Sequence, residues 1–389
     1  MNLADETEDN GAIGIAEPKF EPKNGMRSAL EVSIYENEIP GFVAAELDRL
    51  YETVYCTLAR FRIYGEVDNA STYVARSQGA IVCVILFRIE RGVLKVINQQ
   101  IAIADEDLRI FADAVFAKYR SVHMISFYTL DTAIDRFSRP FQKFVALEEN
   151  VLALPPTRDE YTLSLSQSFV KRLLRAERTL KRDHPGYHFE VLPGTQVSEQ
   201  TLREIVGIAS ARMAAKQQGT YIREADIGKI LQLIHVYGFM SVLTFDGVIR
   251  AGSVFYGVGA RYFMHIIAHD PDYDKYMLGY LVQYWGTYFC IEQKGREFCL
   301  MGGWREYKER LRAFPKYLDS VDIYRSRFHY LLGMRRVSAG ATRQFLHQAR
   351  HGLRQLAQAD SRSGRVAAKC LALARSFKEL WYGAASEQK

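Results

Sequence analysis

The sequence predicts an α/β protein built from two halves of similar layout. Apolar runs flank Gln78-Gly79 in the first half and Asp246-Gly247 in the second, and two turn residues between apolar runs are a strong β-hairpin signal. In each half a third apolar run, a helical pattern and a further apolar run follow the hairpin. Antiparallel strands mixed with helices in this order indicate a layered sheet.

Each half is predicted to begin with helices and to end on a strand. In the first half we expect a helix at 41–58, strands at 72–75, 80–89 and 93–98, a helix at 106–119 and a strand at 123–128. In the second half we expect helices at 199–217 and 224–237, strands at 239–245, 248–256 and 261–269, a helix at 279–293 and a strand at 297–301. Pro155-Pro156 breaks regular structure and places the link between the halves at 152–157.

Charge and cysteine content limit the functional classes. Residues 1–18 contain five acids and no basic residue, which is typical of a disordered leader and not of a signal peptide. No apolar run reaches the roughly 20 residues that a membrane helix needs. Five scattered cysteines without a C-x-x-C pair favour reduced thiols in the cytoplasm and argue against a zinc site.

Residues 335–389 carry eleven basic and three acidic residues, in a pattern that predicts two basic amphipathic helices, 342–357 and 364–382.

One segment, RYFMHIIAHDPDYDKYML (residues 261–278), runs from a predicted strand through a polar loop into a predicted helix. Unpaired N–H groups at a helix start, together with the helix dipole, bind phosphate well. Lys275 would add positive charge there, and Gly279 would let a ligand approach the backbone. The segment is a candidate phosphate site, although strand–loop–helix corners that bind nothing are common.

A second candidate follows the predicted strand 297–301, where Gly302-Gly303 leads to Trp304, Tyr307 and Lys308. Paired glycines permit positive φ and a close approach of a ligand. Tyr307, in the first turn of a helix, is placed to donate a proton to a leaving thiolate. The alternative is a tight turn in which Trp304 and Tyr307 pack on the sheet.

Several segments of residues 161–325 resemble the GNAT acyltransferase domain of the CelD-like group, which is associated with bacterial cellulose and exopolysaccharide synthesis and is related to the Fem-type aminoacyl transferases. They are SFVKRLLRAERTLKR (168–182), RMAAK (212–216), the Asp246-Gly247 hairpin, LGYLVQYWG (278–286) and GGWREYKERL (302–311). The first half resembles the degenerate GNAT repeat that precedes the active one in such proteins.

The fold class that this resemblance implies is α/β (α+β), with tandem GNAT-like domains, each a mixed, mostly antiparallel sheet flanked by helices, and a C-terminal helical tail. The expected divisions are an acidic leader (1–30), a degenerate N-terminal domain (31–155), the acyltransferase domain (156–330) and the basic tail (331–389).

The resemblance implies acetyl-CoA or a longer acyl-CoA as acyl donor, with an acyl carrier protein as an alternative, and no metal. A GNAT domain lays the pantetheine between two splayed strands and the diphosphate at the start of the next helix. In this chain that position maps to residues 276–280, although the usual glycine-rich phosphate loop is reduced to Gly279. The cofactor-binding candidates are Lys275, Tyr276, Leu278, Gly279 and Tyr280.

His265 or His269 is the candidate general base, since an imidazole titrates near neutrality. Their spacing of four residues in a strand predicts that both lie on one face, and satisfied core histidines are the alternative. Asp270 would orient His269 or begin the next turn, whereas Asp272 and Asp274 are expected to face solvent. With Tyr307, the two histidines complete the catalytic candidates.

The substrate-binding candidates are Trp304, Lys308, Arg172 and Arg175. The two arginines lie on a basic helix, whose alternative role is a solvated face. The acceptor implied by the resemblance is a sugar, an amino sugar or an amine, acylated directly without a covalent enzyme intermediate.

Three hypotheses follow: an acyl-CoA-dependent transferase of cell-surface polysaccharide synthesis, a Fem-like transferase that uses aminoacyl-tRNA, and a non-catalytic accessory protein of a polysaccharide synthase. The basic tail favours an anionic membrane surface or a synthase as partner, and a cytoplasmic protein that associates with the inner membrane face. Nucleic acid is not an expected partner because no nucleic-acid-binding module is recognisable.

Overall fold

The computed structural model describes residues 30–215, 222–302 and 306–333. Seven strands and three helices form the first half: β1 (Glu31–Tyr35), α1 (Val43–Tyr51), α2 (Leu58–Ile63), β2 (Ser71–Ser77), β3 (Ala80–Glu90), β4 (Val93–Val96), β5 (Ile101–Ala102), α3 (Asp105–Lys118), β6 (Met124–Asp131) and β7 (Phe141–Ala153). The predicted leader and the two predicted tail helices lie outside the described residues.

The second half adds six strands and seven helices to the described chain. They are α4 (Arg158–Ser164), α5 (Gln167–Asp183), β8 (His188–Pro193), α6 (Glu199–Ala215), α7 (Glu224–Tyr237), β9 (Gly238–Phe245), β10 (Val248–Val258), β11 (Arg261–His269), α8 (Leu278–Glu292), β12 (Glu297–Cys299), α9 (Glu306–Arg310), β13 (Phe314–Tyr324) and α10 (Arg327–Leu332).

Both predicted hairpins are confirmed. Gln78 and Gly79 join β2 to β3, Asp246 and Gly247 join β9 to β10, and all four residues have positive φ. Two successive positive φ angles are the backbone of a type I′ turn, whose twist matches that of the flanking strands. Local turn chemistry therefore sets the registers of the two hairpins.

The two halves share one sheet because they exchange strands. The strand order is β1-β2-β3-β4-β6-β13-β7-β12-β11-β10-β9-β8, and β5 pairs with β6. Thus β13, which ends the second half, lies between β6 and β7 of the first half, while β7 pairs with β12 of the second. Mutual exchange makes the halves one continuous framework.

Three sequence-based expectations need correction. The predicted helix 41–58 is divided into α1, a 3₁₀ turn and α2, because Glu52 adopts a left-handed conformation and Thr53 caps the next turn. The link between the halves begins later than predicted, since β7 continues to Ala153. The sequence does not predict strands β1, β5, β7, β8 and β13; β7 carries Glu148 and Glu149 at its centre, which hides its apolar pattern.

Helices cover both faces of the second half of the sheet. Apolar residues of α5 and α8 pack on one face, and those of α6 and α7 pack on the other. The described cysteines are free and buried, as the sequence predicted: Cys56 and Cys83 in the core of the first half, and Cys290 and Cys299 in the cores of the second.

Candidate functional site

The strands β11 and β12 diverge after a short parallel pairing. Residues 261–263 pair with residues 297–299, and β11 then continues to His269. The chain after β12 stays with β7 instead, because Leu300 N donates to Asn150 O (2.7 Å) and Asn150 N donates to Met301 O (3.2 Å). The gap opens into a cavity of about 630 Å³, which we call the splay cavity.

The walls of the splay cavity bring together the two segments that the sequence singled out. They contain Ala209, Arg212 and Met213 of α6, Ile267 and His269 of β11, Asp274 and Met277 before α8, Leu278, Gly279 and Tyr280 of α8, Met301 and Gly302 after β12, and Tyr307 and Lys308 of α9.

The equivalent gap of the first half is closed. Strands β4 and β6 also pair in parallel, over residues 93–95 and 124–126, but β5 then pairs with β6 again. Between β4 and β5, Asn98 ties the chain back to β3, where its Oδ1 accepts from Leu86 N (2.7 Å) and its Nδ2 donates to Val84 O (3.1 Å). The open cleft therefore belongs to the second half.

Gly279 makes room for the imidazole of His269. A Cβ at position 279 would lie 2.6 Å from His269 Nδ1 and 3.0 Å from its Cε1. On the other side of the ring, Nε2 lies 3.1 Å from Oδ1 of Asp274, whose side chain is 68% exposed. The glycine thus accommodates a side chain of the protein, and Asp274 faces the cavity as a partner of His269 and not only the solvent.

His265 does not share a face with His269, so that prediction is wrong. Val254 pairs with Ile266 and Phe255 with Met264, which leaves His265 as the extra residue of a β-bulge and shifts the alternation of the strand. The His265 ring lies beside Tyr256, in the core under α6 and α7. Burial, and secondarily the charge of Arg60, lowers the pKa of His265 to about 4.

The start of α8 is open to the splay cavity. Met277, the N-cap residue, has a left-handed conformation (φ 56°), and no side chain caps the helix. The first N–H groups of a helix lack partners within it, and Met277, Leu278 and Gly279 line the cavity. The side chain of Leu278 is buried in the core, so only its main chain is available to a ligand.

Comparison with known proteins identifies this region. Residues 167–309 match the family model described as an acetyltransferase (GNAT) domain. We call the matched segment, residues 167–309, the GNAT domain. The match starts at α5 and ends within α9, so the domain contains every wall of the splay cavity. The prediction of an acyltransferase enzyme is confirmed at this level.

The solved structure of FemX supports the fold. FemX aligns with a TM-score of 0.57 and 10% identity, covering 78% of this chain and 99% of its own, and at this identity the similarity shows the fold alone. The C-terminal domain of a putative lysylphosphatidylglycerol synthetase from Agrobacterium fabrum aligns with a TM-score of 0.45 and 15% identity, covering 77% of this chain and 95% of its own. No curated protein sequence matches the chain. The predicted mixed, mostly antiparallel α/β fold is confirmed.

Tyr307 and Lys308 of the GNAT domain lie at the far wall of the splay cavity. The Tyr307 ring meets Tyr280 edge-on, with 6.4 Å between centroids. Lys308 is buried, and its Nζ donates to the carbonyl oxygens of Met301 (2.9 Å) and Gly302 (3.0 Å). Its ammonium therefore fixes the chain after β12. Trp304, predicted to bind substrate, lies outside the described residues.

A second cavity of about 520 Å³, here called the basic cavity, lies between α5, α9 and the turn before α8. The predicted residues Arg172 and Arg175 line it together with Lys275 and Arg310, and it shares Met277 and Tyr280 with the splay cavity. The two cavities are therefore neighbours along one surface of the GNAT domain.

Two of the predicted cofactor-binding residues help to shape the basic cavity. The buried Tyr276 donates through its hydroxyl to Asp183 Oδ2 (2.9 Å). The Lys275 ammonium lies 4.6 Å from the centre of the Tyr276 ring. A hydrogen bond with Tyr276 raises the pKa of Lys275, so the lysine stays charged at neutral pH.

Several residues that line the two cavities are not among the sequence-based candidates, including Arg212, Met213, Asp274 and Arg310. Arg212 and Met213 belong to the RMAAK segment, whose resemblance to the family could have marked them as site residues. The sequence predicts that Asp274 faces solvent, because its contact with His269 depends on the 3₁₀ turn at Pro271–Tyr276.

The described ranges contain neither a metal-ion cluster nor a membrane-spanning helix. No group of three or more His, Cys, Asp or Glu side chains there is arranged to hold a metal ion. None of the helices described is both long and apolar enough to cross a bilayer.

Proposed function

We propose that the GNAT domain transfers an acyl group from an acyl-CoA thioester directly to a nitrogen or oxygen atom of a sugar, amino sugar or amine. The observation that carries this proposal is the splay cavity, which opens at the uncapped start of α8 and has Tyr307 and the Asp274–His269 pair in its walls. A role in cell-surface polysaccharide synthesis rests on the sequence resemblance to the CelD-like group alone.

In this proposal the donor lies along the gap between β11 and β12. Main-chain N–H groups near Leu278 and Gly279 bind its diphosphate, where the helix dipole adds to the hydrogen bonds. The pantetheine then passes Ile267 and Met301, which supply apolar walls. Main-chain N–H groups of the diverging β11 stabilise the oxyanion that forms at the thioester carbonyl.

The Asp274–His269 pair takes the proton of the acceptor. The carboxylate of Asp274 is the exposed member of the pair, and His269 Nδ1 is buried against Gly279; an acceptor therefore reaches Asp274 first. The acceptor atom bonds to the thioester carbon, the carbon–sulfur bond breaks, and Tyr307 donates a proton to the leaving thiolate. The products are the acylated acceptor and the free thiol.

Native mass spectrometry with acetyl-CoA and longer acyl-CoAs tests the donor. We expect saturable binding that weakens in Gly279→Glu, because the new side chain would occupy the start of α8 and displace His269. Gly228→Glu is the matched control, since Gly228 is exposed on α7 with no atom within 4 Å of a Cβ. Equal binding by both variants, or no binding by the wild type, would contradict the proposal.

A second candidate, Fem-like transfer of an aminoacyl group from tRNA, is favoured by the similarity to the fold of FemX, which extends over both halves of the chain. The same splay cavity would then hold an aminoacyl ester. Tight binding of aminoacyl-tRNA without binding of any acyl-CoA would select this candidate. If neither an acyl-CoA nor aminoacyl-tRNA binds, the result favours the third hypothesis, a non-catalytic accessory protein of a polysaccharide synthase.

A further inference from the structure

The basic cavity is built from side chains outside the start of α8. Arg172 and Arg175 project from α5, Lys275 from the turn before α8, and Arg310 from α9, with Ala176 and Thr179 between them. Among the described residues that line it, none is acidic. Four cationic residues around one opening form a region of strongly positive potential.

The two arginines of α5 differ from the basic residues farther along the same helix. Lys181 pairs with Glu177 (3.0 Å) and Arg182 with Asp183 (2.9 Å). In the described parts of the chain, the side chains of Arg172 and Arg175 have no ion pair or hydrogen bond, and both residues are exposed. Their charges are thus available to a ligand.

We propose that the basic cavity is a phosphate subsite for a ligand whose reacting end lies in the splay cavity. A phosphate monoester carries nearly two negative charges at neutral pH, and the planar fork of arginine matches its oxygens. Met277 and Tyr280 border both cavities, so one molecule reaches from the first to the second past these residues.

Two sources of phosphate fit this chemistry, and both rest on the proposed transferase function. The first is the 3′-phosphate of coenzyme A, which lies beyond the diphosphate at the start of α8. The second is a phosphorylated acceptor, which would bind beside the donor. A comparison of coenzyme A with 3′-dephospho-coenzyme A separates them, since the two differ by one phosphate monoester.

The experiment measures equilibrium binding to the full chain and to two double variants. Arg172→Gln/Arg175→Gln removes two charges from the cavity. Lys171→Gln/Arg178→Gln removes two charges from exposed positions of α5 that do not line it. The probes are coenzyme A, 3′-dephospho-coenzyme A, and inorganic pyrophosphate added to protein saturated with coenzyme A.

If the cavity holds the donor phosphate, wild type binds coenzyme A about tenfold more tightly than the dephospho form. The Arg172/Arg175 variant loses this difference, and the control variant keeps it. If the cavity serves the acceptor, wild type binds both coenzymes equally, and pyrophosphate binds to the saturated protein but not to the Arg172/Arg175 variant.

Identical behaviour of the two double variants toward all three probes would overturn the subsite. The acyl-CoA proposal can fail separately: wild type would then bind no coenzyme A, while pyrophosphate added alone would still bind through Arg172 and Arg175. Conversely, if both double variants retain coenzyme A binding in full and also bind pyrophosphate equally, the donor site is supported and the phosphate subsite is refuted. Far-ultraviolet circular dichroism checks that each variant is folded.

Discussion

Replacement of Gly279 by alanine measures how closely α8 and β11 approach at the site. A Cβ at this position would lie 2.6 Å from Nδ1 and 3.0 Å from Cε1 of His269, well inside van der Waals contact. Glycine-to-alanine substitution in a helix otherwise stabilises by up to about 1 kcal/mol. Overpacking of a filled site costs about 1–3 kcal/mol. We therefore expect Gly279→Ala to lower the free energy of unfolding by roughly 1–2 kcal/mol.

The double variant His269→Ala/Gly279→Ala isolates the cause. The three atoms nearest to the new Cβ all belong to the imidazole ring, so in a His269→Ala background the same substitution should stabilise slightly. The coupling energy between the two positions should be about 2 kcal/mol, measured by urea unfolding followed by circular dichroism.

Gly286 supplies the matched control for this experiment. It lies in the same helix, and a Cβ there would have no atom within 4 Å; Gly286→Ala should therefore be neutral or stabilising. If Gly279→Ala is as harmless as Gly286→Ala, or has the same effect with and without the imidazole, the described packing of His269 is wrong.

Three further predictions concern the chemistry and the stability of the site. Tyr307→Phe should lower the acyl-transfer rate about a hundredfold with little change in donor affinity, because it removes only the proton donor; a large loss of affinity instead would refute that role. Lys308→Met should destabilise the fold by about 2 kcal/mol in urea unfolding, since two carbonyl oxygens lose a charged donor, and an unchanged midpoint would contradict this. For His265, whose pKa is lowered to about 4 by burial, the unfolded chain takes up the proton first as the pH falls below 6.5. Stability should therefore drop by about 3 kcal/mol between pH 6.5 and 4, and the wild type should show this loss relative to His265→Gln; parallel curves for the two proteins would exclude it.

The parts of the fold that follow from local chemistry could be predicted from the sequence. The Asp246-Gly247 turn has the residues that a two-residue hairpin requires, and α5 has an apolar stripe and a basic face. The exchange of β7 and β13 could not be predicted, because the partners are distant in the chain and β7 carries charged residues where a buried strand would be apolar.

The candidate site shows the same division. Gly279, Tyr307 and Lys308 were found because glycines and a tyrosine at a strand end indicate a ligand corner. The bulge at His265 leaves no mark in the sequence, so simple alternation placed it on the wrong face. Arg172, Arg175 and Arg310 line one cavity because α5 and α9 both pack around the turn before α8. Only the tertiary structure defines this packing.

Isothermal titration calorimetry tests most directly whether a thioester donor lies between the diverging strands β11 and β12. Acetyl-CoA is titrated into the wild type and into Ile267→Trp. Ile267 lines the splay cavity, so an indole there should fill the path of the pantetheine and weaken binding at least about tenfold. Val248→Trp, which adds the same group at an exposed strand end, should bind like wild type. Binding that is unchanged in Ile267→Trp would contradict the placement of the donor.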